Sequence, residues 1–213
     1  MNNHKNRGNS FHDIQIINLK LKDVESYLKI EFDAFYEKLK IMFSNKKEAA
    51  LNIIRTEISR NIDTGRYYNA KAGGRIVGII EIVTKENTRR YIKDFRVYFK
   101  YLGLTRAVKA ILLNFFEVPK LDDGTIYIDN VAVDADNRRK GVANKMLSFT
   151  EDYARRHGKD TLTLWVAGAN KNAYSLYKKF GFCNVVARSS GIAEKFSGYR
   201  EWIYMKKEIP GPL

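Results

Sequence analysis

The chain has 213 residues, one cysteine and three prolines, and 38 Lys+Arg against 24 Asp+Glu give a formal charge of +14. A hydrophobic fraction of 45% can build a core, which excludes pervasive disorder. A lone Cys183 excludes a disulfide framework or a cysteine-based zinc site.

The polar start MNNHKNRGNS has no apolar signal segment. No stretch approaches the roughly 18–20 apolar residues of a membrane span. A soluble, cytoplasmic protein is expected. Residues 1–10 read as a disordered tail. Residues 11–213 read as one domain, without repeats or linkers.

Asp13–Lys20 has the pattern of a strand. A helix is expected from Lys22, with Val24, Leu28, Phe32, Phe35 and Leu39 at helical spacing. A second runs from Lys46 to Ile62, with Ser44 or Asn45 as its cap. Strands at Tyr67–Lys71 and Arg75–Thr84 flank Gly73-Gly74, which tolerate the positive φ of a tight hairpin. Residues 85–122 form a long insertion, predicted helical from Tyr91 to Val118 and broken at Gly103. Leu104, Val108, Ile111, Leu112 and Phe115 fall on one face of it. Its aromatic residues, among them Tyr91, Phe95, Tyr98 and Phe99, fit core packing first. A lid over a second substrate or a dimer surface comes next, and an interfacial membrane helix third.

A strand at Ile126–Val133, a helix at Gly141–His157, a strand at Thr161–Val166 and a helix at Asn170–Phe180 follow. Strands at Val185–Arg188 and Tyr199–Lys206 end the chain. This alternation predicts an α/β (α+β) domain, a mixed sheet with helices on both faces.

The basic residues are dispersed in short runs, so nucleic acid is an improbable partner; such binding would require a continuous basic stripe. Only Arg138-Arg139-Lys140 stands in a telling place, just before a helix N-terminus. Cations are unfavourable there unless an anion binds the free amides and side chains together. Gly141 lets the backbone approach such a ligand, and Ala143 adds little bulk. Neither the Walker A pattern nor the dinucleotide fingerprint is present. Downstream, Ala173, Leu176, Tyr177 and Phe180 make one helix face, and Gly181 suits a left-handed C-cap.

The two motifs in this order resemble the GNAT N-acetyltransferase superfamily: Arg138, Gly141 and Ala143, then Asn170, Ala173, Leu176, Tyr177, Gly181 and Phe182. The resemblance covers roughly residues 124–206. It implies a splayed mixed sheet and acetyl transfer from acetyl-CoA to an amine. Val131, Ala132 and Val133 would meet the pantetheine arm. Arg138, Arg139, Lys140, Gly141, Val142, Ala143 and Asn144 would hold the pyrophosphate. Asn170 would touch the cofactor, and Tyr177 would protonate the leaving thiolate. Homodimers are common in the family.

An alkyl amine, with a pKa of about 10.4, must lose a proton before attack. Where some family members carry a strand carboxylate, five residues before the Asn, this chain has Trp165. The remaining candidate bases are Glu81 and Asp129. His4, His12 and His157 have no place in the motifs, and no cluster has metal-ligand spacing. The acceptor stays open between a small amine and a protein amino group. The alternative is a non-catalytic acyl-CoA-binding domain that lacks a working base.

Overall fold

The computed structural model describes residues 13–91, 93–115, 121–191, 194 and 197–210, without the side chains of residues 112–115. The tail expected over residues 1–10, with His4 and His12, lies outside them, as do Phe116, Val118 and the side chains of Leu112 and Phe115.

The described residues begin with β1 (Gln15–Asn18), then α1 (Val24–Ala34), α2 (Tyr36–Met42) and α3 (Lys47–Arg60). The single helix expected from Lys22 is therefore two, because Phe35 leaves helical geometry at φ −114°, ψ 23°. Ser44 and Asn45 do not cap α3. Both adopt positive φ, of 52° and 61°, and its first turn has no side-chain cap. The hairpin β2 (Tyr67–Ala72) and β3 (Arg75–Val83) turns through Gly73 and Gly74 at φ 55° and 76°, as a two-residue hairpin turn requires.

The insertion holds α4 (Lys85–Arg90), α5 (Phe95–Leu102) and α6 (Leu104–Phe115). Its first helix starts earlier than expected, on a capping box in which Thr84 and Asn87 exchange hydrogen bonds. Tyr91 is extended at ψ 123° rather than helical. Gly103 makes the expected break, at φ 71°. The inward face of α6 also differs from expectation. Ala107 and Ala110 are buried and Ile111 packs against the same core, while Leu104 and Val108 are exposed.

The second half is β4 (Thr125–Val133), α7 (Val142–Arg156), β5 (Thr161–Ala167), α8 (Lys171–Lys179), β6 (Cys183–Ser189) and β7 (Glu201–Glu208). The seven strands lie in the order β1-β2-β3-β4-β5-β7-β6. All pairs are antiparallel except β4 with β5. Helices α7 and α8 cover one face over Ile80, Ile82, Ile126, Ile128, Leu162 and Leu164. Helices α1 and α3 cover the other over Tyr67, Ile79 and Ala132. Behind them α2, α5 and α6 build a separate helical core around Ile53, Tyr98 and Ala110. Core packing is thus one role of the insertion. Among the described residues no helix is long and apolar enough to cross a membrane.

Two irregularities position the site. Ile80 pairs with Val131 and Ile82 with Ile128, so Asp129 and Asn130 together oppose Glu81. This is a β-bulge, which bends the strand and re-aims its side chains. The second is the closeness of α7 to the sheet. A Cβ on Gly78 would lie 2.9 Å from Val142 Cγ1 and 3.2 Å from the Ala132 carbonyl. Gly78→Val is expected to lower unfolding free energy by about 1–3 kcal/mol, measurable by urea titration. An unchanged midpoint would mean that α7 can lift off without cost.

Candidate active site

The bulge opens the sheet. Strands β4 and β5 pair only from Thr125/Thr161 to Ile128/Leu164. Beyond that point β4 stays with β3 up to Val133, and β5 stays with β7 up to Ala167. Val131, Ala132 and Val133 therefore face a wedge whose two edges carry backbone groups outside any ladder. Such an edge can hydrogen-bond an extended, amide-bearing ligand.

Past Val133 the chain makes a 3-10 turn at Ala135–Asn137 and enters α7. Arg139 and Gly141 both adopt positive φ, 61° and 81°. That bend leaves the Val142, Ala143 and Asn144 amides at the helix start, with no side-chain cap and no acidic residue in the first turn. Arg138, Arg139 and Lys140 are exposed beside them, and the Arg138 Nε donates to the Val133 carbonyl at 3.3 Å. No neighbour lies within 4 Å of where a Gly141 Cβ would stand. The turn and helix start form an open, basic cradle suited to phosphate.

Asn170 works locally, because its Oδ1 accepts from the Ala173 N–H at 3.1 Å and caps α8. Tyr177, on α8, is 8% exposed and shares a core with Val131, Val142 and Val166. Burial pushes its phenol up to about 12, so it keeps its proton at neutral pH. Gly181 follows α8 at φ 96°, the expected left-handed cap. Trp165 packs on Tyr204, with the Arg188 guanidinium 5.5 Å from its ring. His157 stacks on Tyr153 at the end of α7, away from the wedge.

On the opposite face lies a cavity of about 400 Å³ between α1, α3, the insertion and the bulge. Glu81 and Asp129 both line it. The buried Arg66 Nε donates to Glu81 Oε1, and its Nη2 donates to Asp129 Oδ2 at 3.4 Å. Asn130 Nδ2 donates to Glu81 Oε2 at 2.9 Å. Tyr91, from the insertion, places its ring 4.5 Å from the Arg66 guanidinium. Burial raises the Glu81 carboxyl, against the pull of Arg66, and Asp129 adds to the rise. Burial likewise opposes the Arg66 charge, but Glu81 and Asp129 outweigh it and hold the guanidinium ionised.

Sequence reasoning missed Arg66, Glu31 and Glu57. Glu57 lines the cavity and accepts from the Tyr98 hydroxyl at 3.0 Å; burial raises it. Glu31 is 9% exposed, and its Oε2 has no hydrogen-bond partner among the described residues. Burial, reinforced by Glu81 and opposed by Lys38, pushes Glu31 up to about 8.

The sign of that shift fixes a pH dependence. Between the ordinary carboxylate range and about 8 the folded chain binds a proton that the unfolded chain has released, so stability falls as pH rises through this window. Glu31→Gln is expected to flatten that fall and to be more stable than the parent above pH 8, as read by urea unfolding at several pH values. Identical slopes in the two proteins would contradict the buried state of Glu31.

The sequence pattern of the acetyltransferase (GNAT) family matches residues 30–182. A protein of Methanocaldococcus jannaschii described as an uncharacterized N-acetyltransferase is 34% identical over 82 residues, 38% of this chain and 31% of that one. The ribosomal-protein-bS18-alanine N-acetyltransferase of Escherichia coli is 35% identical over 68 residues, 32% of this chain and 45% of that one. The matches thus span less than half the length of either relative. The structure of the PaiA N-acetyltransferase of Thermoplasma acidophilum in complex with coenzyme A superposes with a TM-score of 0.56 at 15% identity, covering 92% of this chain and 99% of that one. Similarity at that identity reports a shared fold. The family pattern runs from α1 through the bulge, the basic turn and α8, and this chain belongs to the acetyltransferase (GNAT) family.

Proposed function

We propose that this protein is an N-acetyltransferase that moves an acetyl group from acetyl-CoA to a primary amine while both are bound. The observation that carries the reading is that β4, where it leaves β5, runs through one short turn into the basic cradle at the start of α7. A long ligand with amides at one end and phosphates at the other fits that path.

Acetyl-CoA supplies the acetyl group as an activated thioester. In this reading the edge of β4 at Val131–Val133 orients the pantetheine arm. Arg138, Arg139, Lys140 and the amides from Gly141 to Asn144 hold the pyrophosphate. Asn170 acts on the cofactor side only through α8, whose start it caps. The amine comes from the other face, through the cavity that Glu81 and Asp129 line.

The proton inventory assigns the roles. The amine nitrogen bonds to the acetyl carbon and gives up a proton, and the carbon–sulfur bond breaks as sulfur takes one. Both Glu81 oxygens are already held, by Arg66 and Asn130. Among the described residues Asp129 has one such contact, at 3.4 Å to Arg66, and its side chain is 20% exposed. We assign Asp129 as the base, directly or through water, and Glu81 as the residue that positions Arg66 and the bulge. Tyr177, protonated at neutral pH, supplies the proton to sulfur.

The test is a thermal-shift titration with acetyl-CoA, followed by thiol release with an amine panel. At about 100 times Kd a ligand that binds only the folded chain adds about 2.7 kcal/mol. For a chain of this length that raises the melting temperature by roughly 5–10 °C. The folded Arg139→Ala/Gly141→Asp variant is expected to lose the shift. Asp129→Asn is expected to keep it and to lower kcat by about 100-fold or more. No shift with millimolar acetyl-CoA would remove the proposal.

A further inference from the structure

The cavity beside the bulge is acidic in a strongly basic protein. Glu31, Glu57, Glu81 and Asp129 line it, against Lys38, Arg66 and Lys93. The cations are unevenly placed. Arg66 is buried and already shared between Glu81 and Asp129, while Lys38 and Lys93 are only half-buried. Among the buried lining groups two carboxyls, Glu31 and Glu81, face the single cation Arg66, while half-buried Glu57 and Asp129 match the two lysines in number.

A second observation points to a ligand. Among the described residues Glu31 Oε2 is buried without a hydrogen-bond partner, and so is the hydroxyl of Tyr27, one helical turn before it on α1. Both Glu81 and Asp129 act electrostatically on Tyr27 and on Glu31, so these groups belong to the same neighbourhood. A buried acceptor left unpaired is costly, and a donor arriving with a ligand would remove that cost. Among the described residues no group of three or more His, Cys, Asp or Glu is arranged to hold a metal ion. The rest of the wall is largely aromatic and aliphatic, with Phe35, Ile54, Tyr67, Tyr91 and Tyr98. Such a wall suits methylene groups, and its ring faces also tolerate a cation.

Resting on the N-acetyltransferase reading, we infer that the acceptor is an alkyl diamine or polyamine. One amine sits at Asp129 for acetylation, and a second, still charged, is held by Glu31 and Glu57 at the α1–α3 end. The two ends differ in chemistry. The reacting amine must lose its proton, whereas the distal ammonium keeps its charge and pairs with a carboxylate. Glu31 then exchanges the proton that it holds in the empty cavity for an ion pair.

The experiment compares butylamine, α,ω-diamines of three to eight carbons, spermidine, glutamate and a peptide with a free N-terminal alanine. Acetylated product is measured by mass spectrometry, and the acetyl-CoA thermal shift is read on the same preparation. The expected result is kcat/KM at least tenfold higher for the best diamine or for spermidine than for butylamine. Glu31→Gln and Glu57→Gln should each lower that ratio, mainly through KM. Calorimetric titration with the best diamine should show weaker binding to both variants. A ratio near one in the parent, a preference for glutamate or the peptide, or no diamine turnover in protein that still binds acetyl-CoA would each overturn the inference while leaving acetyl-CoA binding intact. Absence of the thermal shift would instead sink the N-acetyltransferase reading beneath it.

Discussion

The site depends on one extra residue in one strand. Because Asp129 and Asn130 together face Glu81, β4 turns away from β5 just after Ile128. An uninterrupted ladder would have closed the sheet and left no wedge. The same bulge delivers two polar side chains to the α1 face while Val131 returns to the α7 face. One backbone irregularity thus puts the wedge and the cavity on opposite sides of a single strand. The bulge is held by side chains from three other segments. Arg66 comes from before β2, Glu81 from β3, and Tyr91 from the insertion stacks over Arg66. A bulge residue left without such partners would expose unpaired polar groups to the core.

Charge is sorted along the same axis. The net excess of +14 is a sum over the surface and says little about any one place. At the start of α7 the exposed Arg138, Arg139 and Lys140 add to the positive end of the helix. On the other side of β4 two buried carboxyl groups, Glu31 and Glu81, stand against the buried Arg66. The charged groups on the two sides of β4 thus differ in kind, basic at the start of α7 and mainly carboxyl around Arg66. Low dielectric strengthens the interactions of the buried groups, whereas water screens the exposed basic turn.

The C-terminal half was legible because its signals are local. A basic turn before a helix, a small residue at Ala143 and the stripe through Tyr177 ending at Gly181 can each be read within a short window. The hairpin at Gly73-Gly74 and the break at Gly103 were legible for the same reason. The N-terminal half was not, because its meaning lies in contacts between distant segments. Arg66 carries no local pattern, and its importance appears only when Glu81 and Asp129 are brought to it. Glu31 did leave a trace. Val24, Leu28, Phe32 and Phe35 define an apolar stripe, and Glu31 lies on it, three residues after Leu28. Glu57 interrupts the stripe of Ala50, Ile54 and Ile58 in the same way, and Glu81 interrupts the apolar run of β3. A carboxylate at an inward position of a helix or strand is the sequence signal of a polar cavity. The misread face of α6 has a different cause. Periodicity weighs large side chains, but close helix packing there selected Ala107 and Ala110.

The position of Trp165 sharpens the assignment of the base. Where the family resemblance would place a carboxylate on β5, this chain has an aromatic ring wedged between Tyr204 and Arg188. Trp165 itself offers surface but no proton acceptor. The carboxylates that line the cavity stand across the gap, on β3, β4, α1 and α3. If the base has moved there, the amine must approach from the α1–α3 face, and its hydrocarbon chain must run along Tyr67, Tyr91 and Tyr98. The insertion then has a reason beyond packing. By carrying Tyr91 and Tyr98 to this wall it closes the cavity around a route that β5 no longer serves, and it fixes Arg66 against the bulge from which the route begins.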